Sequence, residues 1–367
     1  MIRPYRWLMF AVGRWSVVMG VLATLIALPA VISRLPVADP DVPMQALLAK
    51  VQASQRVPYS GFAESLGTVA VPTSRSFASL TDLFGGHTRM RVWRRGPTDW
   101  RVDTVDPVGE HGTYRDAAGA WLWDFADHRA TRTTQPDITL PVAADLLPAE
   151  LGRRLLSEAT PAELHRLPAR RIAGRTAAGL RLHPTDADAT IDRVDTWIDP
   201  RSGLPLRVEI WAKKASQPAF QSTFLDLRVA LPPAGITRFE PPVGATLSND
   251  NVRDVGQVAL QYGFGGLPER LAGLPLRDDA PRFGSYGHGP TLIAAVPLAG
   301  EGGFRLAHRI EDAPGVVVDK QDGSSALAAG PLSLLVAPVS DGIWLFTGTV
   351  TVAALRRAAA ELRAAHR

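Results

Sequence analysis

The residues able to carry chemistry are few and scattered. The chain has eight histidines, and none lies three or four positions from another. No helix face therefore offers paired imidazoles to a metal, and no H-E-x-x-H pattern occurs. Cysteine is absent, which excludes disulfides, thiolate-bound zinc, iron–sulfur clusters and thiol catalysis. There is no Walker A loop and no G-x-S-x-G elbow. GSYGHGP at 284–290 is glycine-rich but lacks a strand-turn-helix setting and reads as a mobile surface loop, and GFGG at 263–266 fails the dinucleotide spacing. The carboxylates Asp186 and Asp188, or Asp278 and Asp279, would serve hydrolysis only if they converged in a pocket; in loops, solvated charge is the ordinary outcome. The expectation is a protein with no catalytic residues, no metal ligands and no cofactor.

What remains is apolar side chains at alternate positions. Trp121, Trp123 and Phe125 stand at i, i+2 and i+4, so they share one face of a strand. Leu204, Leu206, Val208 and Ile210 form a second row, and Leu180 and Leu182 a third. Leu204 apart, these residues together with Phe62, Met90, Val92, Trp100 and Trp197 make a candidate apolar lining. A cavity for an acyl chain needs such walls without polar partners; the same rows would equally be the core of any sheet covered by helices. Trp93 falls in register with Arg89, Arg91 and Arg95, and Trp211 with Arg207, Glu209 and Lys213. These indoles are either exposed anchors or rings lying under arginine stems as cation–π contacts.

The elements that would position these rows are mostly strands. The chain has 367 residues, 46% hydrophobic and 21% charged, enough for two domains and a sizeable core. Forty basic and thirty-six acidic residues leave a net charge of only +4, without the basic stripe of a nucleic-acid binder. Arg3, Arg6 and Arg14 precede an uncharged apolar run from Trp15 to Ile32. Its length just suffices to cross a bilayer, and the arginines keep the N-terminus cytoplasmic; a cleaved signal peptide is the rival reading. A proline-rich linker follows. Residues 43–56 show helical spacing, and strand-like runs then recur at 59–71, 87–95, 98–105, 112–125 and 129–135. A leucine-rich helix is expected at 145–157, followed by five more strands to about 229, with a hairpin turn at Pro200–Gly203. Beyond 250 come a helix near 252–262, further strands and a terminal helix.

In order, these segments read Y-S-G, R-V-W-x-R-x-P-x-x-W-R-V, W-L-W-D, then RIAGRTAAGLRLHPTDADATIDRVDTWIDPRSGLPLRVEIW, and finally F-E-P-P-V-G-A. This text resembles the LolA/LolB and MucB/RseB group of periplasmic lipoprotein-binding proteins over about residues 43–245. The resemblance implies an α+β protein with a curved antiparallel sheet, a half-barrel, covered by helices. Together with the N-terminal apolar run and the segments beyond 250, this divides the chain into an N-terminal transmembrane helix (1–34), a linker (35–42), the half-barrel domain (43–248) and a small α+β C-terminal domain (249–367). The resemblance further implies a lipid or lipoprotein acyl chain held in the apolar cavity of an extracytoplasmic protein; the N-terminal run, a departure from that group, is expected to anchor it in the membrane. Alternatively, the partner is an anti-sigma factor or another membrane protein, and the chain is a regulator of envelope signalling.

Overall fold

A computed structural model describes residues 19–21, 37–68, 85–105, 109–116, 119–133, 142–250, 266–277, 284–298, 307–308, 310–311, 315–319, 322–339 and 342–366. Two meanders build the larger sheet. The first comprises β1 (Tyr59–Gly67), β2 (His87–Gly96), β3 (Asp99–Val105), β4 (Glu110–Asp116), β5 (Gly119–Asp124) and β6 (Arg129–Thr133). The second comprises β7 (Leu164–Ile172), β8 (Arg175–Leu182), β9 (Ile191–Ile198), β10 (Pro205–Ala212) and β11 (Phe220–Arg228). Antiparallel pairing of β1 with β11 fuses them, and β12 (Thr246–Asp250) adds to β6 in parallel. The order is β12-β6-β5-β4-β3-β2-β1-β11-β10-β9-β8-β7.

This corrects the expected half-barrel covered by helices. The sheet is large, open and uncurled, and helices are few. A barrel closes only when its edge strands meet, and here β12 and β7 end the sheet on opposite sides. The run at 112–125 is also not one strand but the hairpin of β4 and β5. β12, taken from sequence as the end of the domain, instead extends the sheet.

The two longer helices of this domain cover one face. In α1 (Met44–Ala53), Leu47 and Val51, one turn apart, are fully buried. α2 (Pro148–Leu155) starts with proline at its first position, where the missing N–H costs nothing. Gly152 lets α2 sit close on the sheet: a Cβ there would lie 2.6 Å from the Pro205 side chain on β10. The four-residue helix α3 (Ala234–Thr237) belongs to the connection from β11 to β12.

The turn at 200–203 ties α1 to the sheet. The Asp199 carboxylate accepts from the Arg201 N–H at 3.1 Å and the Ser202 hydroxyl at 2.8 Å. Gly203 has φ of 75°, and a Cβ on it would fall 2.2 Å from the Lys50 carbonyl oxygen. Meanwhile the Lys50 ammonium donates to the Pro200 carbonyl at 2.8 Å. Gly203→Ala is therefore expected to cost about 2 kcal/mol, above the ordinary Gly-to-Ala scale of about 1 kcal/mol because strain and collision add. Urea unfolding would measure it, and a neutral result would place α1 elsewhere.

The second sheet orders β15 (Gly284–His288), β16 (Thr291–Leu298), β20 (Gly342–Gly348), β19 (Leu332–Val339), β18 (Ser324–Ala329) and β17 (Val317–Asp319). A small hairpin, β13 (Arg270–Leu271) with β14 (Leu274–Pro275), precedes it. GSYGHGP is thus not a mobile loop. It forms β15 and its turn, with Tyr286 fully buried and donating to the Pro268 carbonyl at 3.1 Å. The terminal helix α4 (Val352–Ala365) is capped by Thr351, whose side chain accepts from the Ala354 N–H at 3.2 Å. Its buried face, Leu355, Ala358 and Leu362, packs on Leu335, Trp344 and Phe346 of the same domain.

Asp188, in the β8–β9 loop, joins the two sheets. Its carbonyl accepts from the Thr351 N–H at 2.9 Å, and its carboxylate from the Thr351 hydroxyl at 3.1 Å and from Arg357. Glu158 adds an ion pair to Arg277 at 2.9 Å.

Among the described residues no helix is long and apolar enough to cross a membrane. Apart from 19–21, the segment 1–34 expected to do so lies outside the described residues, as do the expected helix at 252–262 and the pair Asp278 and Asp279.

Candidate functional site

Strand register decides which side chains share a wall. Met90 and Val92 on β2 stand opposite Ala63 and Gly61 on β1, and Val92 opposite Val102 on β3. This face continues across β11 and β10, where Ser222 pairs with Val208 and Phe220 with Ile210, and then through Thr196 to Leu180 and Val194 to Leu182. The helices cover it. The Ser222 hydroxyl donates to the Leu146 carbonyl at the start of α2. Met90, Val92 and Leu206 pack with Leu146 and Leu147, with Trp100 at the margin. Leu180, Leu182 and Val208 pack with Leu47, Val51 and Leu156, with Ile210 between the two clusters. Met90, Leu180, Leu182, Leu206 and Val208 are each 0% exposed. Side chains from the helices fill this wall.

The remaining candidates do not join that wall. Phe62 pairs with Arg91 and with Asp226, on the reverse face. Trp121 and Trp123 pair with Tyr114 and Gly112, again on the reverse face, and pack against Phe239 from the connection to β12 at ring distances of 5.3 and 5.9 Å. Phe125 is exposed beyond them, 5.7 Å from Trp123. Trp197 shares its face with Asp195, since unbroken β8–β9 pairing puts Thr196 and Ile198 on the other side. Its indole N–H donates to the Pro168 carbonyl at 3.1 Å under the Arg170 guanidinium. The thirteen residues expected to line one cavity therefore divide between two sides of a sheet, because strand alternation separates neighbours that composition groups together.

The reverse face carries the arginine–tryptophan row. Arg101 lies 5.0 Å from the Trp93 ring and 4.7 Å from Tyr114, and forms a double contact with the buried Asp103, with Nε to Oδ1 at 2.8 Å and Nη2 to Oδ2 at 2.6 Å. Arg193 stacks on Trp211 at 4.0 Å. The cation–π arrangement is thus the one present, supplied by neighbouring strands rather than by the same strand. Burial pushes the Asp103 carboxyl above its usual range while Arg101 pulls it down. A cleft of about 390 Å³ opens beside this row, lined by Gly61, Phe62, Arg91, Trp93 and Asp226. Sequence reasoning missed Gly61 and Asp226. A bulge at Phe62/Ala63 brings the Asp226 carbonyl within 2.4 Å of where a Gly61 Cβ would sit, and that approach depends on a long-range pairing with no local signal.

Burial also governs the tyrosines. It raises Tyr59, and it pushes Tyr114 and Tyr286 up to about 12. The folded values exceed the ordinary 10.0, so the folded state favours the protonated phenol. This stabilising contribution is complete below pH of about 10 and is lost as pH rises through about 12. Tyrosinate absorbance should accordingly show three phenols ionising later in the native than in the urea-unfolded protein, with stability falling over the same window. Coincident native and unfolded titrations would contradict the burial.

Among the described residues no group of three or more histidine or acidic side chains could hold a metal. The fold is similar to that of MucB: a large open sheet followed by a smaller sheet domain. No family profile matches the sequence, and no curated protein matches it. Among solved structures, that of the Pseudomonas aeruginosa MucA/MucB complex is similar at a TM-score of 0.50 and 16% identity, over 86% of this chain and 97% of that one. MucB alone matches at a TM-score of 0.45 and 16% identity, over 86% of this chain and 96% of that one. A LolA superfamily protein from Nitrosomonas europaea matches at 0.24 and 15% identity, over 54% of this chain and 98% of that one.

Proposed function

We propose that this chain is an extracytoplasmic binding protein whose partner is another protein, a membrane protein of envelope signalling such as an anti-sigma factor. The observation that carries this reading is the filled apolar wall: Met90, Leu180, Leu182, Leu206 and Val208 are packed by helix side chains, whereas an open cleft lies on the reverse face. The MucB fold supports it, since a structure with that fold is a complex with MucA. Arg3, Arg6 and Arg14 ahead of the apolar run support a single-pass anchor with the N-terminus cytoplasmic.

A second reading, that of an acyl chain from a lipid or lipoprotein, has its own observation. Part of the lid over the apolar wall is α2, a helix of only eight residues, so its displacement would bare the apolar surface at Pro205 and Val208. Two measurements on the secreted ectodomain, residues 39–367, separate the readings. Native mass spectrometry with lipid extraction is expected to return an apo mass, and photo-crosslinking in the native host a discrete membrane partner. A stoichiometric acyl lipid without a crosslinked protein would overturn the first reading in favour of the second.

A further inference from the structure

We infer that the reverse-face cleft is the docking site for an acidic peptide segment bearing a bulky apolar side chain. This rests on the protein-partner reading and names the chemistry of the segment. The cleft sits where β1 meets β2 and β11, in the middle of the sheet. All three strands are paired on both sides, so a partner cannot add a strand there and must be recognised through side chains.

The walls are aromatic and one is pre-set. Trp93 is held by Arg101, which Asp103 holds in turn. A side chain entering between Phe62 and Trp93 would lose little ordering entropy on the protein side, as expected of an interface anchor. The volume, about 390 Å³, lies at the small end of the roughly 300–1,000 Å³ of ligand sites. It suits one or two side chains rather than a lipid tail.

The charge is one-sided. Arg91 stands opposite Phe62 in the cleft; Arg89 follows two residues away on the same face of β2; Arg228 lies opposite Ser60 in the row of Trp93. All three are exposed, and among the described residues none makes a hydrogen bond or an ion pair. The Glu64 carboxylate opposite Arg89 is engaged by His87 at 3.1 Å. Asp226 opposes these cations from within the cleft, and Asp103, which stands cross-strand from Arg91 and attracts it, is bonded to Arg101. Guanidiniums at and beside an aromatic slot, none of them bonded to a carboxylate, fit carboxylates flanking an apolar residue. Asp226, across Phe62 from Arg91, disfavours a uniformly anionic lipid surface.

The probe is an acetylated, amidated decapeptide of alternating Glu and Gly with one central Trp, against its Lys counterpart, measured by fluorescence anisotropy on the ectodomain. The acidic peptide is expected to bind, to weaken with salt, and to lose at least tenfold in affinity with Arg91→Glu and with the double variant Arg89→Glu/Arg228→Glu. The latter positions are exposed, so folding is retained. Equal binding of both peptides, or unchanged binding in both variants, overturns the proposal. So does retention of the wild type, and not of Arg91→Glu, on phosphatidylglycerol vesicles without peptide binding, which would assign the cleft to a membrane. If Arg91→Glu still crosslinks the native partner, this site is wrong and the protein-partner function stands; if the unaltered chain crosslinks none, the function itself fails.

Discussion

Glu150→Ala is expected to destabilise the large domain by about 3 kcal/mol and to loosen α2 from the sheet. Glu150 projects from α2 onto Arg94 of β2, with Nη1 to Oε1 at 3.0 Å, and also holds Arg153. The side chains are 8% and 17% exposed, so the pair is largely out of water. Removing one member of a buried pair costs about 3–5 kcal/mol because the other charge is stranded. The lower end applies here: Glu150 keeps some solvent, and Arg94 retains a bond to the Gln55 carbonyl at 3.3 Å. The consequence reaches function, because α2 roofs the wall of Leu206 and Val208. Urea unfolding followed by circular dichroism measures the stability. An environment-sensitive dye added at low urea is expected to brighten before the main transition, as the apolar wall is bared. A loss below about 1 kcal/mol with no dye signal would mean that α2 is held by packing alone.

Trp197→Ala is expected to cost about 3–5 kcal/mol, the range for large aromatic side chains deleted from a core. The indole is 2% exposed, bonded through its N–H to the Pro168 carbonyl and covered by Arg170 at 4.0 Å. Gly179 pairs with both Leu167 and Trp197, and a Cβ there would fall 2.6 Å from the Leu167 side chain, so β7 closes tightly over this site. For a domain of this size, roughly 2–4 °C per kcal/mol predicts a fall in Tm of about 6–20 °C. Trp197→Phe, keeping an aromatic ring but neither the full indole volume nor the N–H, should lose less than that. The experiment separates packing from ligand contact. A wall residue facing a ligand would leave Tm unchanged and abolish binding, and that outcome would return Trp197 to a cavity.

Local pattern carried much of the molecule. Helical spacing at 43–56 became α1, and the alternation from 59 to 105 became β1, β2 and β3. The Pro200–Gly203 turn formed because Asp199, Ser202 and Gly203 have the side chains and the φ freedom it requires. Elsewhere local pattern ran out. The hairpin of β4 and β5 was hidden because Ala117 and Ala118 carry no turn signal. The pairing of β12 with β6 joins residues more than a hundred positions apart, and nothing in either segment specifies a parallel neighbour.

By itself the sequence determined the period of each element, and hence that Met90 and Val92 face away from Trp93, and that Trp121 and Trp123 face together. Period is a property of the backbone and needs no partner. Only the tertiary structure decided which face of one strand continues which face of the next. The β1–β11 pairing and its bulge set Phe62 beside Asp226 and Arg91, and the irregularity in β10 between Pro205 and Arg207 set Trp197 opposite Arg207. It also decided that the apolar wall is filled and that a cleft beside Trp93 on the other face is left open. Packing depends on the summed volume of side chains that meet only after the chain has folded.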